Sequence, residues 1–379
     1  KTTHIIMKRI KIKIDRGRKT LETLKFVKTW ETMVLQLARL CLDSSSQSCV
    51  EPGGLVYSKQ FIKLFSHNGL AYTLKYFKEC RQAIYKYTSG DPVYSSSMVS
   101  LTKDGIPVFL QDWIPLIRLK DKTSIRAILS ILQIGRLFTG VGSLDTSSIT
   151  KDYTGQKTIT VISDAVIESF VNEMNLRIDE IPEPEFYLRS SKGPTGPAMA
   201  SICKEAKDLD LKLYNLIIKF LTSEQREILD QMRVDNIHNP PDLQQLCDNS
   251  NIVRKITVVE DKEGKNRVIA ILDYWSQVVL RPLHQQLMLK ISTLKQDGTY
   301  DQVGVIHRLR KEDMYYSMDL TSATDRLPRN LQERLLSKML GSDDKANDYM
   351  SILTSFPFTT RDGETINYSV GQPMGAYAS

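Results

Sequence analysis

Asp319 closes a short aromatic and apolar run, Tyr315-Tyr-Ser-Met-Asp319, and the pattern that follows constrains the fold more than any other stretch. The run over 315–320 reads as a buried strand. A carboxylate at its end is costly to bury unless a cation or hydrogen-bond donors meet it. Asp325 comes six residues on, past a Thr-Ser-Ala-Thr turn able to fold the chain back. Residues 330–339 then read as a helix with Leu331, Leu335, Leu336 and Met339 inward and Gly341 as its stop. Starting 52 positions after Asp319 (371 minus 319), Gly371-Gln-Pro-Met-Gly375-Ala-Tyr-Ala-Ser379 brackets a stiff Pro373 with glycines that permit positive φ and close backbone approach. Strand, acid, turn, helix and glycine loop in this order suit phosphate chemistry with a divalent cation, because hard cations take carboxylate oxygens.

Each piece alone has a plainer reading. Asp319 fits a turn cap, Asp325 fits a cap carboxylate paired with Arg326 or Arg329, and the loop fits an ordinary turn. Gly341-Ser-Asp343-Asp344 imitates a paired-Asp catalytic turn, but it lacks flanking strands and precedes the glycine loop. It reads as a polar helix cap.

Composition excludes several classes. With 379 residues, 41% hydrophobic and 25% charged, the chain has material for two or three lobes with real cores. No apolar run approaches bilayer-spanning length. Five cysteines without a CxxC form neither a zinc nor a disulfide framework. There is no HExxH and no phosphate-binding GxxxxGK[ST]. The net charge of +7 is concentrated: residues 1–30 carry ten Lys/Arg against Asp15 and Glu22, a local +8 that leaves the remainder near neutral. Such an arm neutralises phosphates, or else it is a lysine-blunted strand edge, since Ile10, Ile12 and Ile14 alternate with Lys11 and Lys13. The chain opens on Lys1, so either it is a fragment at this end or Met7 is the true start.

Three blocks follow from periodicity. In the first, helical spacing runs over 21–42 and 57–87, with loop-like compositions over 43–54 and 88–106. Residues 124–138 read as an amphipathic helix with Ile125, Ile128, Leu129, Leu132 and Leu137 on one side. A Ser/Thr/Gly-rich connector over 139–160 leads to a second block opening near Pro182. There, 208–221 reads as a helix with Leu211, Leu213, Leu216, Ile217 and Phe220 on its apolar face, and Asn239-Pro-Pro241 breaks the chain. Strands are expected over 255–259 and 267–272, joined by a charged turn containing Gly264, then a helix over 276–291 bent at Pro282. Lys265 and Arg267 alternate onto one strand face that can grip a triphosphate, whereas Glu260, Asp261 and Glu263 favour a merely solvated hairpin. The third block starts near Met314.

Four stretches resemble the RNA-dependent RNA polymerase of mitoviruses, in that family's order. Ser191-Lys-Gly-Pro-Thr-Gly-Pro-Ala-Met199 is similar to its Lys-x-Gly-Pro-Asn-Gly stretch, with Thr195 where Asn is usual. Residues Lys265 to His284 resemble the fingers block that binds nucleotide phosphates. Asp319 to Pro328 resembles palm motif A, and Gly371 to Ser379 the opening of motif B. The resemblance spans about 190–379; residues 1–180 carry no motif of this kind. It implies an α+β right-hand polymerase: an N-terminal, mainly helical region with the basic arm (1–180), fingers with the phosphate-binding hairpin (181–312), and a partial palm (313–379).

By the same resemblance Asp319 is the catalytic ligand of Mg²⁺ (or Mn²⁺), and Asp325 senses the ribose 2′-hydroxyl. Lys265 and Arg267 hold the triphosphate, while Gly371, Gln372, Gly375 and Ser379 seat the template base and nascent pair. The implied partners are RNA template and product and ribonucleoside triphosphates, and the implied residence is the host mitochondrion. The family's third palm motif, Gly-Asp-Asp, is absent, so the expectation is a truncated chain inactive alone, completed by a further palm segment on the same or another polypeptide. The alternative is a catalytically dead, host-integrated relic acting at most as an RNA-binding module. A group II intron-type reverse transcriptase fits less well, because it places an aromatic at the position of Asp325.

Overall fold

The computed structural model describes residues 29–30, 32–34, 36, 44–91, 96–138, 143–153, 162–234, 245–248, 250–308, 316 and 318–378. The basic arm, the Asn239-Pro-Pro241 breaker and Ser379 lie outside these residues. Among these residues the chain is mainly helical with one small sheet, an α+β mixture. It divides into two compact units, residues 1–143 with 260–267, and residues 144–259 with 268–379.

The first unit is built on α1 (Ser44–Ser89), two helical segments meeting at Gly69, whose φ of 78° breaks the helical path. Helix begins well before the loop expected over 43–54 ends. The glycines that suggested a loop are instead buried, and a Cβ on Gly53 would overlap the Trp113 indole. They are there for close approach. Around α1 an aromatic core forms, with Trp30 stacked on Phe61 at 4.2 Å and Phe61 stacked on Phe77 and on Phe138 at 5.6 Å each. Asp121 caps α2 (Lys122–Leu132) by accepting from Ser124 N at 2.7 Å. Ile128, Ile131 and Leu132 are buried as the periodicity requires, but Leu137 is exposed. The α-helix ends at Leu132 and a 3₁₀ turn, Ile134–Leu137, shifts the phase of the side chains. The hairpin tip belongs to this unit: Arg81 pairs with Glu263, and Gly264 N donates to Phe138 O at 3.3 Å.

In the second unit the sheet order is β2-β1-β3-β4, with β1 at Lys255–Glu260, β2 at Asn266–Ile271, β3 at Phe358–Thr359 and β4 at Thr365–Ile366. β1 runs parallel to β3 and β3 antiparallel to β4. The two expected strands are present within a residue at each end. After β2, Asp273 caps α3 (Tyr274–Ser292), which contains Pro282, by accepting from Ser276 N at 2.6 Å. Its other oxygen meets Arg254 Nε at 3.2 Å, and Arg254 also donates to Ser276 Oγ at 2.8 Å. Both ionic side chains are buried, so removing either would strand the other without water.

The helix expected over 208–221 is broken. Residues Ala198–Asp208 form α4, and after a break Leu211–Ile217 form α5. Asp210 is the cause, since its carboxylate accepts from Lys212 N and Leu213 N and starts a new helix. Leu211 is left exposed, while Leu213 and Ile217 are buried. The helix expected over 330–339 appears as α6 (Arg329–Leu340), with Leu336 and Met339 buried and Gly341 at φ 63° ending it. Ser342 then caps α7 (Asp343–Thr354), placing Asp343 and Asp344 in its first turn, where acids favour the helix dipole.

The strand expected over 315–320 does not form among the described residues. Residues 316 and 318–320 are irregular, with Tyr316 83%, Met318 90% and Leu320 73% exposed. A strand needs a ladder partner to bury alternate residues, and none of the four strands pairs with this segment.

Glu205 on α4 is a buried acid that periodicity did not single out. One oxygen accepts from Tyr274 N at 2.6 Å, and the other has no hydrogen-bond partner. The turn Gly193–Gly196, closed by Gly193 N donating to Gly196 O at 2.6 Å, lies against it. Burial pushes its carboxyl up to about 8. The folded chain therefore holds this proton more tightly than the unfolded chain does. The resulting stability is complete below the ordinary glutamate range and is lost as pH climbs through about 8. Glu205→Gln should become more stable than the unmodified chain as pH rises from 5 to 9, on the order of a few kcal/mol at the upper end by denaturant unfolding. A pH-independent difference would contradict this reading of Glu205.

Candidate active site

The Asp325 segment and the glycine loop meet through their backbones. Gly371 N donates to Asp325 O and Gln372 N to Thr324 O, each at 3.0 Å, and Arg329 N donates to Val370 O at 2.8 Å. The contact is so close that a Cβ on Gly371 would overlap the carbonyl groups of Thr324 and Asp325. Gly371, Gln372 and Pro373 are all buried, and the Gln372 Oε1 has no partner. At the loop's far end Ala270 N donates to Met374 O at 2.9 Å. Gly375, at φ 122°, comes so near Ala270 O that only glycine fits.

Downstream, α3 takes over the loop. Gln277 donates from Nε2 to Gly375 O at 3.3 Å and accepts from Tyr377 N at 2.9 Å. Ala378 N donates to His284 Nδ1 at 3.3 Å. Burial lowers the His284 pKa, favouring the neutral ring, whose Nδ1 keeps a lone pair to accept with.

Asp325 sits in a single helical turn, Ala323–Arg326, entered through Ser322 at φ 52°. Its Oδ2 accepts from Ser148 Oγ at 2.7 Å, a partner that neither Arg326 nor Arg329 had suggested. Burial raises its pKa, against the pull of Ser148 and Arg326. Arg326 turns away to backbone carbonyls, including Asp152 O at 3.0 Å. Ser369 Oγ donates to Ile149 O at 2.9 Å and Lys151 O at 2.7 Å, so residues 148–152 are tied to both the acid segment and the glycine loop. Nothing in the sequence pointed to Ser148, an unremarkable serine 177 positions from its partner.

Asp319 is exposed and makes no hydrogen bond or ion pair among the described residues. Lys265 and Arg267 belong to the first unit, where both are exposed and Arg267 Nε meets Asp261 at 2.7 Å. An exposed pair of this kind holds its guanidinium weakly. Ser379 lies outside the described residues. Among those residues no group of three His, Cys, Asp or Glu side chains is placed to hold a metal ion. Magnesium in nucleotide-transfer sites is held by one or two carboxylates together with substrate phosphates. The uncommitted carboxylate of Asp319 fits the protein's share of such a shell.

A chain with these paired segments matches the family model of the mitovirus RNA-dependent RNA polymerase over residues 180–379. The chain belongs to that family. It is 36% identical over 133 residues to the RNA-directed RNA polymerase of Cryphonectria parasitica mitovirus 1 (strain American chestnut tree/New Jersey/NB631). That alignment covers 34% of this chain and 16% of the relative, so the chain spans a small part of the relative's length. No solved structure matches. No helix among the described residues is long and apolar enough to cross a membrane.

Gly371→Ala should destabilise the second unit by about 1–3 kcal/mol, the usual cost of forcing a methyl into packed backbone, as read from denaturant unfolding. Unchanged stability would mean the two segments are not in contact. Ser148→Ala should raise the Asp325 pKa further in a carboxyl NMR titration. A lower value would contradict the hydrogen bond.

Proposed function

We propose that this chain supplies nucleotide- and template-handling surfaces of a viral RNA-directed RNA polymerase that copies a positive-strand RNA genome by Mg²⁺-dependent ribonucleotide transfer. The observation that supports it best is the pair of amide hydrogen bonds joining the Asp325 segment to the glycine loop, within the stretch that matches the family. The backbone thereby holds a carboxylate and the glycine loop in one place. That is what recognition of a ribose and seating of a base pair require.

Asp319 is proposed as the protein ligand of Mg²⁺. When bound, the ion would polarise the α-phosphate and activate the RNA 3′-hydroxyl that attacks it with release of pyrophosphate. Asp325, fixed by Ser148 through Oδ2, keeps Oδ1 to accept from an incoming 2′-hydroxyl, the group that marks a ribonucleotide. Burial raises its pKa, and in its ionised form the carboxylate is an acceptor only. Gly371, Gln372 and Gly375 are proposed to help seat template and nascent pair, the glycines by letting the loop close on Thr324, Asp325 and Ala270, and Gln372 through a buried Oε1 acceptor without a partner among the described residues. Lys265 and Arg267 are proposed to grip the triphosphate, Arg267 by exchanging its exposed Asp261 pairing for phosphate.

In a longer family polymerase carrying this segment, Asp319→Asn should cut Mg²⁺-dependent nucleotide incorporation by about a thousandfold while sparing RNA binding. Asp325→Ala should narrow the preference for ribonucleotides over deoxyribonucleotides. Full incorporation by Asp319→Asn would reassign that carboxylate to the turn. RNA binding without incorporation by the unmodified polymerase would favour a binding module instead.

A further inference from the structure

The turn that joins β1 to β2 contains a residue that its backbone disfavours. Lys265 N donates to Lys262 O at 3.4 Å, and the two residues between them, Glu263 and Gly264, have φ of 60° and 70°. Two consecutive positive φ values are what the tight hairpin turn matching strand twist requires, and Asn-Gly is its favoured pair. Gly264 meets the requirement without strain. Glu263 does not, because a Cβ in the left-handed region crowds the following carbonyl. A strained backbone that carries a charged side chain points to whatever that side chain touches.

Glu263 is not the solvated acid that the charged turn suggested. Its carboxylate pairs with the buried Arg81 guanidinium, and Arg136 Nε stands 4.0 Å from the same oxygen. Arg81 Nη1 in turn donates to Leu132 O at 2.9 Å, so one guanidinium satisfies the end of α2 and grips the turn. The rest of the tip follows. Gly264 N donates to Phe138 O at 3.3 Å, and Asn266 Nδ2 donates to Ser143 Oγ at 3.0 Å. All of these residues lie in the first unit. Docking uses Gly264 and Asn266 and leaves Lys265 and Arg267 exposed, the division that alternation along an extended chain imposes.

We propose that Arg81, acting through Glu263, is a positioning residue for nucleotide transfer: it holds the hairpin tip so that Lys265 and Arg267 present their charges to an incoming triphosphate. This rests on the triphosphate role proposed for those two residues and adds the pair that sets their position. Basic side chains on a free hairpin would sample many directions, and a phosphate contact uses only a few of them. The Arg81–Glu263 pair fixes the turn from its inner side and leaves the basic side open. Asparagine would suit the backbone better at position 263, but its neutral amide would give up the ion pair with Arg81.

The test is steady-state kinetics of a longer family polymerase carrying this segment, with nucleotide concentration varied. Glu263→Asn removes the carboxylate and supplies the residue this turn prefers, so a purely structural turn would be left intact or improved. It should instead raise the nucleotide KM by about tenfold with kcat held within about twofold, as expected when binding is lost and the chemical step is not. Arg81→Gln should do the same. The double variant should also stand near tenfold rather than about a hundredfold, since the two side chains make one contact. Arg118→Ala, which removes an ion pair with Asp104 elsewhere in the first unit, should leave KM unchanged. If Arg81→Gln does not fold, Glu263→Asn carries the test alone, and calorimetric titration with ATP reads the same shift as a Kd where turnover is absent. An unchanged KM in Glu263→Asn, a kcat loss at constant KM, multiplied effects in the double variant, or an equal effect in Arg118→Ala would each overturn the proposal. Lys265→Ala with Arg267→Ala separates it from the reading beneath it. An unchanged KM there contradicts the triphosphate grip itself, whereas a raised KM there with an unchanged KM in Glu263→Asn contradicts the anchor alone.

Discussion

Two amide hydrogen bonds, from Gly371 and Gln372 to the carbonyls of Asp325 and Thr324, are the constraint on which the candidate site depends. They can form only because residue 371 has no side chain, since a single methyl would occupy the space of the opposing carbonyls. Glycine 375 repeats the device against Ala270, so the loop is clamped at both ends by backbone-to-backbone approach. The loop's position is therefore set by covalent dimensions and hydrogen-bond length. The course of a loop held in this way does not depend on side-chain rotamers.

Beneath the clamp lies a set of buried charges. Asp273 caps α3 and holds Arg254, whose guanidinium also lies over the Phe356 and Phe358 rings. Glu205, on the neighbouring α4, receives the Tyr274 amide from the same helix start. These groups fix where α3 begins, and α3 in turn presents Gln277 and His284 to the loop. A buried ion pair is weak evidence for added stability. Its consequence here is geometric, because the first turn of α3 has one position that satisfies all three side chains.

Much of this was legible in the sequence where the signal is local. The hairpin strands, the α3 and α6 helices and the glycine stop at Gly341 follow from periodicity and caps. The order of the acid segment and the glycine loop suggested one site around Asp319, whereas the contact found is a backbone one through Thr324 and Asp325. The sequence was misleading where a residue serves a distant neighbour. Gly53 reads as a loop breaker but makes room for Trp113, and Asp210 reads as part of one helix but starts another. Ser148 and Glu205 could not be singled out, since one lies 177 positions from its partner and the other is one of the two acids, with Asp208, on an amphipathic helix. Tyr315 to Leu320 has strand composition, yet composition does not provide the neighbouring strand that makes a strand.

Amide hydrogen exchange of the Gly371 and Gln372 N–H groups tests the central claim most directly. If the acid segment and the loop are one hydrogen-bonded unit, both amides exchange slowly in the folded chain and at closely similar rates, opening together. Exchange of either at the rate of an unprotected loop would show that the two segments are independent, and the shared site would go with them.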